Sequence, residues 1–162
     1  MHFDLHAVNE NLRIQTLHDL LLLNTPREER FDRITAFAAS EFDVPIVLIS
    51  LVDQERVWYK STVGVRFSEG ARQESFCSHA VSMVETLIVR NALEDRRFNA
   101  MSVVLGEPCV RFYAGALLRL PNGLNVGTLC IMDKTPRIFD RMDTAILGGL
   151  RDLVVQELSN RN

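Results

Sequence analysis

The stretch VRFYAGALLRLPNGLNVGTLCIMD, residues 110–133, decides the fold of this chain. Two apolar runs, 110–120 and 124–133, flank the dipeptide Asn122-Gly123. Asn-Gly is typical of a tight turn between antiparallel strands, because both residues adopt positive φ angles readily. The stretch therefore predicts a β-hairpin, and a hairpin implies an antiparallel sheet.

A second hairpin is predicted upstream of the first. The run VPIVLISLVD, 44–53, is rich in β-branched residues and is typical of a buried strand. A polar turn follows it, and VWYKSTV, 57–63, returns as its partner. TLIVRNA, 86–92, predicts one more short strand. The polar segment 64–74 predicts a loop, and 93–108 predicts a long connection with short helical turns.

Capping residues predict where two helices begin. Thr25 as N-cap and Glu28 three residues later form the pattern of a capping box for a helix over 26–42. Asp140 predicts the N-cap of the last helix, with Asp143 near its positive end.

Helices at both chain ends determine how the sheet is covered. Apolar residues recur at helical spacing over 5–23 and over 140–159. These terminal helices predict a layer on one face of the sheet, so the connection over 64–108 must cover the other face. A sheet covered by short helices and irregular segments commonly forms a small-ligand pocket.

Composition and charge argue against several functional classes. The 162 residues, 47% of them hydrophobic, suit a single domain over 1–162. A net charge of −3 gives no reason to expect a nucleic-acid partner. The N-terminus lacks the features of a signal peptide and the longest aliphatic run has four residues, so we expect a cytoplasmic protein without membrane contact. Three scattered cysteines argue against a disulfide framework, and no CxxC or HExxH motif indicates a metal site.

The sequence resembles the GAF domain family over about residues 12–158, and in particular a bacterial subgroup found in front of diguanylate cyclases, phosphodiesterases and sensor kinases. The stretches that carry the resemblance are LLNTPREERFDRIT (22–35), VPIVLISLVDQERVWYKSTVG (44–64), ESFCSHAV (74–81), NALEDRRF (91–98), EPCVRFYAGALL (107–118) and VGTLCIMD (126–133). The resemblance implies an α/β fold of the α+β type. Its six-stranded antiparallel sheet has the terminal helices on one face and short helices and loops over a pocket on the other.

The resemblance also implies a regulatory role without catalytic activity. Such a domain binds a small molecule or a partner and relays the change through its terminal helices to an output domain in cis or in trans, here in cyclic-di-GMP or histidine kinase signalling. The terminal helices are expected to pair two copies into a homodimer. The sequence names neither the ligand nor a cofactor. The alternative is a thiol-dependent enzyme, such as a free methionine sulfoxide reductase that uses Cys77 and Cys109.

Aromatic, thiol, imidazole and guanidinium side chains are the candidates for lining the pocket. They are Trp58, Phe76, Cys77, His79, Phe98, Arg111, Tyr113 and Cys130. A guanidinium at Arg111 would favour a carboxylate or phosphate ligand. The alternatives for Arg111 are a salt bridge to Asp95 or Glu107, or a solvated face. No catalytic residue and no metal ligand is predicted.

The stretch SFCSHAV, 75–81, admits two geometries. In a strand, Cys77 and His79 would share a face, whereas in a helix they would point about 200° apart. Ser75 or Ser78 would suit the N-cap of a helix, and the family resemblance also implies a helix here. The residues on the inward side of that helix would be Cys77, Ala80, Val81 and Val84. In phytochrome-like relatives a cysteine directly precedes a histidine, so the intervening Ser78 argues against a bilin.

Overall fold

The computed structural model describes residues 5–83 and 85–160, and its centre is a six-stranded antiparallel sheet. The strands are β1 (Ile46–Val52), β2 (Arg56–Val63), β3 (Glu69–Ala71), β4 (Leu87–Val89), β5 (Phe112–Arg119) and β6 (Asn125–Asp133). Their order across the sheet is β3-β2-β1-β6-β5-β4, and every neighbouring pair is antiparallel. The predicted α/β fold with a six-stranded antiparallel sheet is confirmed.

Helices of two kinds cover the two faces of the sheet. They are α1 (Leu5–Asp19), α2 (Glu29–Phe42), α3 (Phe76–Ala80), α4 (Ser102–Leu105) and α5 (Arg141–Ser159), with single 3-10 turns at 72–74 and 92–94. On one face, α2 packs on β1 and β2 and α5 packs on β5 and β6, and Leu17 of α1 joins the same apolar core. The short helix α3 packs on the opposite face over a second core. The predicted division between terminal and short helices is confirmed.

The hairpin that decides the fold forms as β5 and β6. The hairpin is confirmed, but its turn has one left-handed residue rather than the expected two: Gly123 has a φ of 86°, whereas the φ of Asn122 is not positive. Gly127 of β6 lies where three strands come together, and a Cβ atom there would lie 1.7 Å from the backbone oxygen of Ser50. The close approach of β1 to β6 therefore requires glycine at this position.

A β-bulge shapes the first hairpin. The register of β1 against β2 shifts between Ile49, which pairs with Ser61, and Ser50, which pairs with Tyr59. Lys60 is the extra residue, and its side chain is buried against the helical layer. Its Nζ lies 2.8 Å from Thr25 Oγ1, 2.6 Å from Pro26 O and 2.7 Å from Glu28 Oε2.

This buried lysine explains why the predicted capping box is wrong. Helix α2 begins at Glu29 rather than Pro26, and Glu28 at its N-cap makes no side-chain capping bond. The side-chain oxygens of Thr25 and Glu28 contact Lys60 instead. The hydrogen bond from Lys60 is the largest cause that holds the pKa of Glu28 below its ordinary value, with a second one from Arg30 and with burial opposing both.

Two further boundaries differ from the sequence prediction. Helix α1 ends at Asp19 rather than at residue 23, and the chain then turns with Leu21 and Asn24 in the left-handed region at φ 57° and 62°. Strand β3 forms within the predicted loop, because β2 offers it a free edge to pair with. Its own sequence, Glu-Gly-Ala, has no apolar pattern that would predict a strand.

The last helix begins as predicted. The Asp140 side chain accepts a hydrogen bond from the Asp143 N–H at 2.9 Å, and the Asp143 side chain accepts one from the Asp140 N–H at 3.1 Å. Within residues 5–83 and 85–160, none of the helices combines the length and apolarity needed to cross a bilayer.

Candidate functional site

A cluster of sulfur and hydroxyl groups lies on the sheet face opposite the terminal helices. Cys77 reaches it from α3, whose N-cap Ser75 accepts a hydrogen bond from the Cys77 N–H at 3.0 Å. The Cys77 thiol lies 3.3 Å from Ser50 Oγ. The hydroxyls of Thr128 and Tyr113 donate to the Cys77 sulfur at 3.3 and 3.6 Å. We call the following group the sulfur cluster: Ser50, Cys77, Tyr113, Thr128 and Cys130.

The sheet register determines this arrangement. Ser50 on β1 and Thr128 on β6 are direct partners across the ladder. Cys130 lies two residues further along β6 and therefore on the same face. Both thiols are enclosed, with Cys77 3% exposed and Cys130 fully buried.

The two thiols differ in acidity. The hydrogen bond from Cys130 is the largest cause that lowers the pKa of Cys77, and the hydroxyls of Ser50, Thr128 and Tyr113 add to it against the opposing effect of burial. Burial and the neighbouring Cys77 raise the pKa of Cys130 well above its ordinary value. The hydroxyl donors around Cys77 therefore favour its thiolate form, whereas burial disfavours the thiolate of Cys130.

Gly115 makes room for the tyrosine of the cluster. A Cβ atom at Gly115 would lie 2.3 Å from the Tyr113 hydroxyl oxygen, so the phenol lies along the sheet over this glycine. The Tyr113 ring stacks on Phe76 of α3 with centroids 4.8 Å apart, and Phe76 contacts Phe98 at 4.7 Å. The aromatic stack and the glycine together aim the hydroxyl of Tyr113 at Cys77.

A small cavity of about 50 Å³ lies beside the sulfur cluster. Phe76, Cys77 and Tyr113 line its inner end, and Phe67 and Glu74, both exposed, line its outer end. Pockets for drug-sized ligands occupy about 300 Å³ or more. The cavity therefore has room for a molecule of a few atoms and not for a nucleotide.

The structure brings five of the eight predicted pocket residues together. Those that line the cavity or lie directly behind its lining are Phe76, Cys77, Phe98, Tyr113 and Cys130. His79 sits beside this group, with its ring edge against Phe98 at a centroid distance of 4.9 Å. The helical interpretation of 75–81 is confirmed, since Cys77 and Ala80 are buried while His79 is exposed. Val84 lies outside the described residues.

The structure corrects the placement of Trp58. Its side chain is buried in the core under the terminal helices, on the sheet face away from the cavity. The Nζ of Lys60 lies 5.9 Å from its ring centroid. Alternation along β2 places Val57 and Tyr59 on the cavity side, and Tyr59 lines the cavity where Trp58 was expected.

Arg111 is also placed differently from the prediction. It precedes β5, and its guanidinium donates to the backbone oxygens of Val104 at 2.8 Å and Val110 at 3.1 Å. The alternative salt bridges do not form either, because Asp95 pairs with Arg97 and Glu107 pairs with Lys134. Arg111 therefore anchors α4 to the start of β5 and does not line the cavity.

Sequence reasoning missed Ser50 and Thr128. Each is a hydroxyl residue that interrupts an otherwise apolar strand. That interruption was a usable signal, but only the strand register reveals that the two hydroxyls face each other. Across the described part of the chain, no three histidine, cysteine or acidic side chains are grouped so that they could hold a metal ion.

A network of charged groups connects the first helix to α3, and we call its members Glu10, Arg13 and Arg72 the arginine bridge. Arg72 contacts Glu10 Oε1 at 2.5 Å, Asp53 O at 3.1 Å and Ser78 Oγ at 3.3 Å. Arg13, itself only 5% exposed, contacts Glu10 Oε2 at 2.9 Å and donates to Val52 O at 2.7 Å.

The carboxylate of Glu10 stays charged over a wide pH range. The hydrogen bond from Arg13 is the largest cause that lowers the pKa of Glu10 to about 2, and Arg72 adds to it while burial opposes both. Arg13 thus joins α1 to the end of β1, and Glu10 joins α1 through Arg72 to Ser78 of α3. Helix α3 carries Cys77, so the bridge connects the first helix to the sulfur cluster.

The chain is similar to a relative of known sequence and to solved structures. The chain is 40% identical over 152 residues to a cyclic di-GMP phosphodiesterase of Pseudomonas aeruginosa, and the match covers 93% of this chain but only 26% of that protein. The GAF domain of an Acinetobacter phosphoenolpyruvate-protein phosphotransferase has a TM-score of 0.66 at 14% identity, covering 98% of this chain and 95% of that one. Free methionine-R-sulfoxide reductase of Neisseria meningitidis, solved with its substrate, has a TM-score of 0.66 at 16% identity, covering 99% and 94%.

The likeness to the two solved structures concerns the fold alone at these identities. The sequence profile of the GAF domain family, however, matches residues 26–158, which is most of the chain. The matched segment runs from the residues before α2 to the end of α5 and contains the whole sheet, the cavity and the sulfur cluster. This chain belongs to the GAF domain family.

Proposed function

We propose that this chain is a cytoplasmic sensory domain of bacterial signal transduction, without catalytic activity, that regulates an output domain acting in cyclic-di-GMP turnover. The relative from Pseudomonas aeruginosa supports a role in cyclic-di-GMP turnover. Most of that protein lies outside the match and is long enough to contain an output domain. The arginine bridge is the observation that carries the proposal. It gives a change at α3 a direct physical connection to the first helix.

The proposed signal enters at the cavity beside Cys77 and leaves through the terminal helices. A small molecule that displaces α3 would move Ser78, and Arg72 would pass that movement to Glu10 of α1. To act as a signal, the molecule must bind one arrangement of these helices more tightly than the other. The cavity volume restricts the ligand to a few atoms unless α3 moves outward.

Replacing Arg72 with glutamine tests this connection. We expect backbone amides in both α1 and α3 to exchange hydrogen about fivefold faster, because the variant loses a charge-assisted bond worth about 1 kcal/mol after solvent screening. Arg97→Gln is the matched control, since Arg97 pairs with Asp95 at the surface away from α1. Hydrogen exchange followed by mass spectrometry measures the exchange rates of the amides in both helices in one experiment. Faster exchange in α3 alone would refute the connection.

The outer surface of the helical layer supports a homodimer through the terminal helices. Met142, Ile146, Gly149 and Leu153 recur at helical spacing on one flank of α5, and Met142 and Leu153 are 68% and 48% exposed. Helix α2 packs beside α5 and adds Phe37, which is 55% exposed. An apolar stripe of this kind on adjacent helices suits a second copy of the same surface.

Leu153→Glu is expected to weaken this dimer at least about 30-fold, because it places a charge in the middle of the apolar stripe. Sedimentation velocity over a concentration series measures the change. Leu105→Glu is the control, since Leu105 is 67% exposed on α4, on the other face of the sheet. If both variants associate as the unchanged protein does, the terminal helices do not form the dimer interface.

The thiol reductase is the second candidate function, and the acidic Cys77 favours it. The size of the cavity weighs against it, because about 50 Å³ does not admit methionine sulfoxide. The structure also corrects the expected thiol partner, since Cys130 rather than Cys109 lies in the cluster with Cys77. Reductant consumption with free methionine sulfoxide, abolished in Cys77→Ser, would favour the reductase over the sensor.

A further inference from the structure

The hydroxyl groups of the sulfur cluster are placed to stabilise a negative sulfur. A neutral thiol is a weak hydrogen-bond acceptor, whereas a thiolate is a strong one. The hydroxyls of Thr128 and Tyr113 nevertheless donate to the Cys77 sulfur, and Ser50 Oγ lies within 3.3 Å of it. Two donor hydroxyls and the Ser50 oxygen, which accepts a hydrogen bond from the Cys77 thiol, thus converge from three strands on one sulfur atom in an otherwise apolar core.

A second thiol stands beside the first. Ser50 Oγ lies 3.3 Å from the Cys77 sulfur and 4.0 Å from the Cys130 sulfur, so one hydroxyl contacts both thiols. Two hydroxyls donate to the Cys77 sulfur, whereas the Cys130 sulfur has the Ser50 hydroxyl near it. This is the arrangement that a nucleophilic thiol and a resolving thiol require.

The cavity supplies the place for a small reactant. It borders Cys77 and has a volume of about 50 Å³, whereas one water molecule needs about 10 to 15 Å³ of cavity by the same measure. A molecule of two or three heavy atoms fits this space next to the Cys77 sulfur. Hydrogen peroxide, with two oxygen atoms and two protons, has this size and the polarity to meet the hydroxyl groups there.

We propose that Cys77 reacts with hydrogen peroxide and that Cys130 captures the product as a disulfide tying α3 to β6. The Cys77 sulfur attacks one peroxide oxygen, the O–O bond breaks, and the other oxygen leaves as water after taking the Cys77 proton. Cys77 is thereby oxidised to a sulfenic acid. The Cys130 sulfur then attacks the Cys77 sulfur, an S–S bond forms, and the S–O bond breaks. The hydroxyl leaves as a second water with the Cys130 proton.

If the chain is the proposed sensor, the disulfide would be the change that it senses. Only this link to signalling rests on the proposed function. The S–S bond would draw α3 towards the sheet and shift Ser78, which contacts the arginine bridge. The thiol chemistry itself is independent of any relay. The exchange experiment on Arg72→Gln uses reduced protein without peroxide, so failure of the relay and failure of the oxidation are distinguishable.

The test uses the chain with Cys109→Ser, which removes the partly exposed third thiol. The reduced protein is treated with hydrogen peroxide, unfolded, alkylated and weighed by intact mass spectrometry. We expect the chain to lose two hydrogens, to resist alkylation at both remaining thiols and to recover them with dithiothreitol. Adding Cys130→Ser should leave a sulfenic acid at Cys77 that dimedone traps. Both thiols alkylating fully after peroxide treatment would overturn the proposal.

A variant that lacks one hydroxyl of the sulfur cluster tests whether the hydroxyl groups promote oxidation or the two thiols only pack together. Thr128→Val keeps the side-chain shape and removes one donor to the Cys77 sulfur. We expect peroxide oxidation to slow about tenfold. Thr144→Val, which removes a hydroxyl from α5, is the control. Equal oxidation rates in the two variants, with both shown to be folded by circular dichroism, would overturn the role of the hydroxyl groups.

Discussion

Replacing Lys60 with alanine is expected to lower the free energy of unfolding by about 3 kcal/mol. The Lys60 ammonium is fully enclosed and contacts three oxygens, those of Thr25, Pro26 and Glu28. Its removal leaves the oxygens that organise the start of α2 without their common partner, and the lost side-chain stem leaves a space beside Phe31 and Trp58. Urea unfolding with an unchanged denaturant slope measures the loss.

The sequence offers a close control for this experiment, because Lys134 is its only other lysine. Lys134 is 54% exposed and pairs with the exposed Glu107, so Lys134→Ala should change the free energy of unfolding by less than about 0.5 kcal/mol. Lys60→Met retains the stem and removes only the ammonium, and should lose about 1 to 2 kcal/mol. If Lys60→Ala is as stable as Lys134→Ala, the buried ammonium does not hold α2 in place.

Gly127→Ala is expected to destabilise the chain by about 3 kcal/mol, because its methyl group would collide with the backbone of β1. Unlike a flexible side chain, the carbonyl of Ser50 cannot move aside without opening the ladder between β1 and β6. Because that ladder also sets Ser50 against Thr128, the same change should disturb the sulfur cluster. Thermal and urea unfolding measure the first effect, and the peroxide reaction of Cys77 reports the second.

Gly149→Ala is expected to stabilise the chain, whereas Gly127→Ala destabilises it. A Cβ atom at Gly149 would meet nothing within 4 Å, and alanine is favoured over glycine inside a helix by about 1 kcal/mol. The pair of variants therefore separates a glycine that close strand packing requires from one that the packing within a single chain does not require. Equal effects from the two substitutions would contradict the strand geometry.

The fold was largely predictable, because its strongest signals are local. The Asn122-Gly123 turn, the apolar strands around it and the Asp140 cap each depend on residues close in sequence, and each prediction is confirmed. The start of α2 was not predictable in this way. Thr25 and Glu28 have the pattern of a capping box, but Lys60 lies more than thirty positions away and takes both oxygens.

The site was predictable only in part, for a related reason. Phe76, Cys77 and Tyr113 attract notice as aromatic or reactive residues, and they do line the cavity. Trp58 and Arg111 attract notice on the same grounds and lie elsewhere, since side-chain chemistry does not say which face a residue occupies. Ser50 and Thr128 become meaningful only once the register pairs them.

The order of the strands has a consequence for aggregation through the edges of the sheet. The two edges of the sheet are occupied by β3 and β4, which have three residues each, while the strands of seven to nine residues lie inside. A long edge strand offers unpaired amides and carbonyls on which another chain can extend the sheet, whereas a strand of three residues offers too few for stable pairing. The sheet thus resists edge-to-edge aggregation although its interior strands are almost entirely apolar.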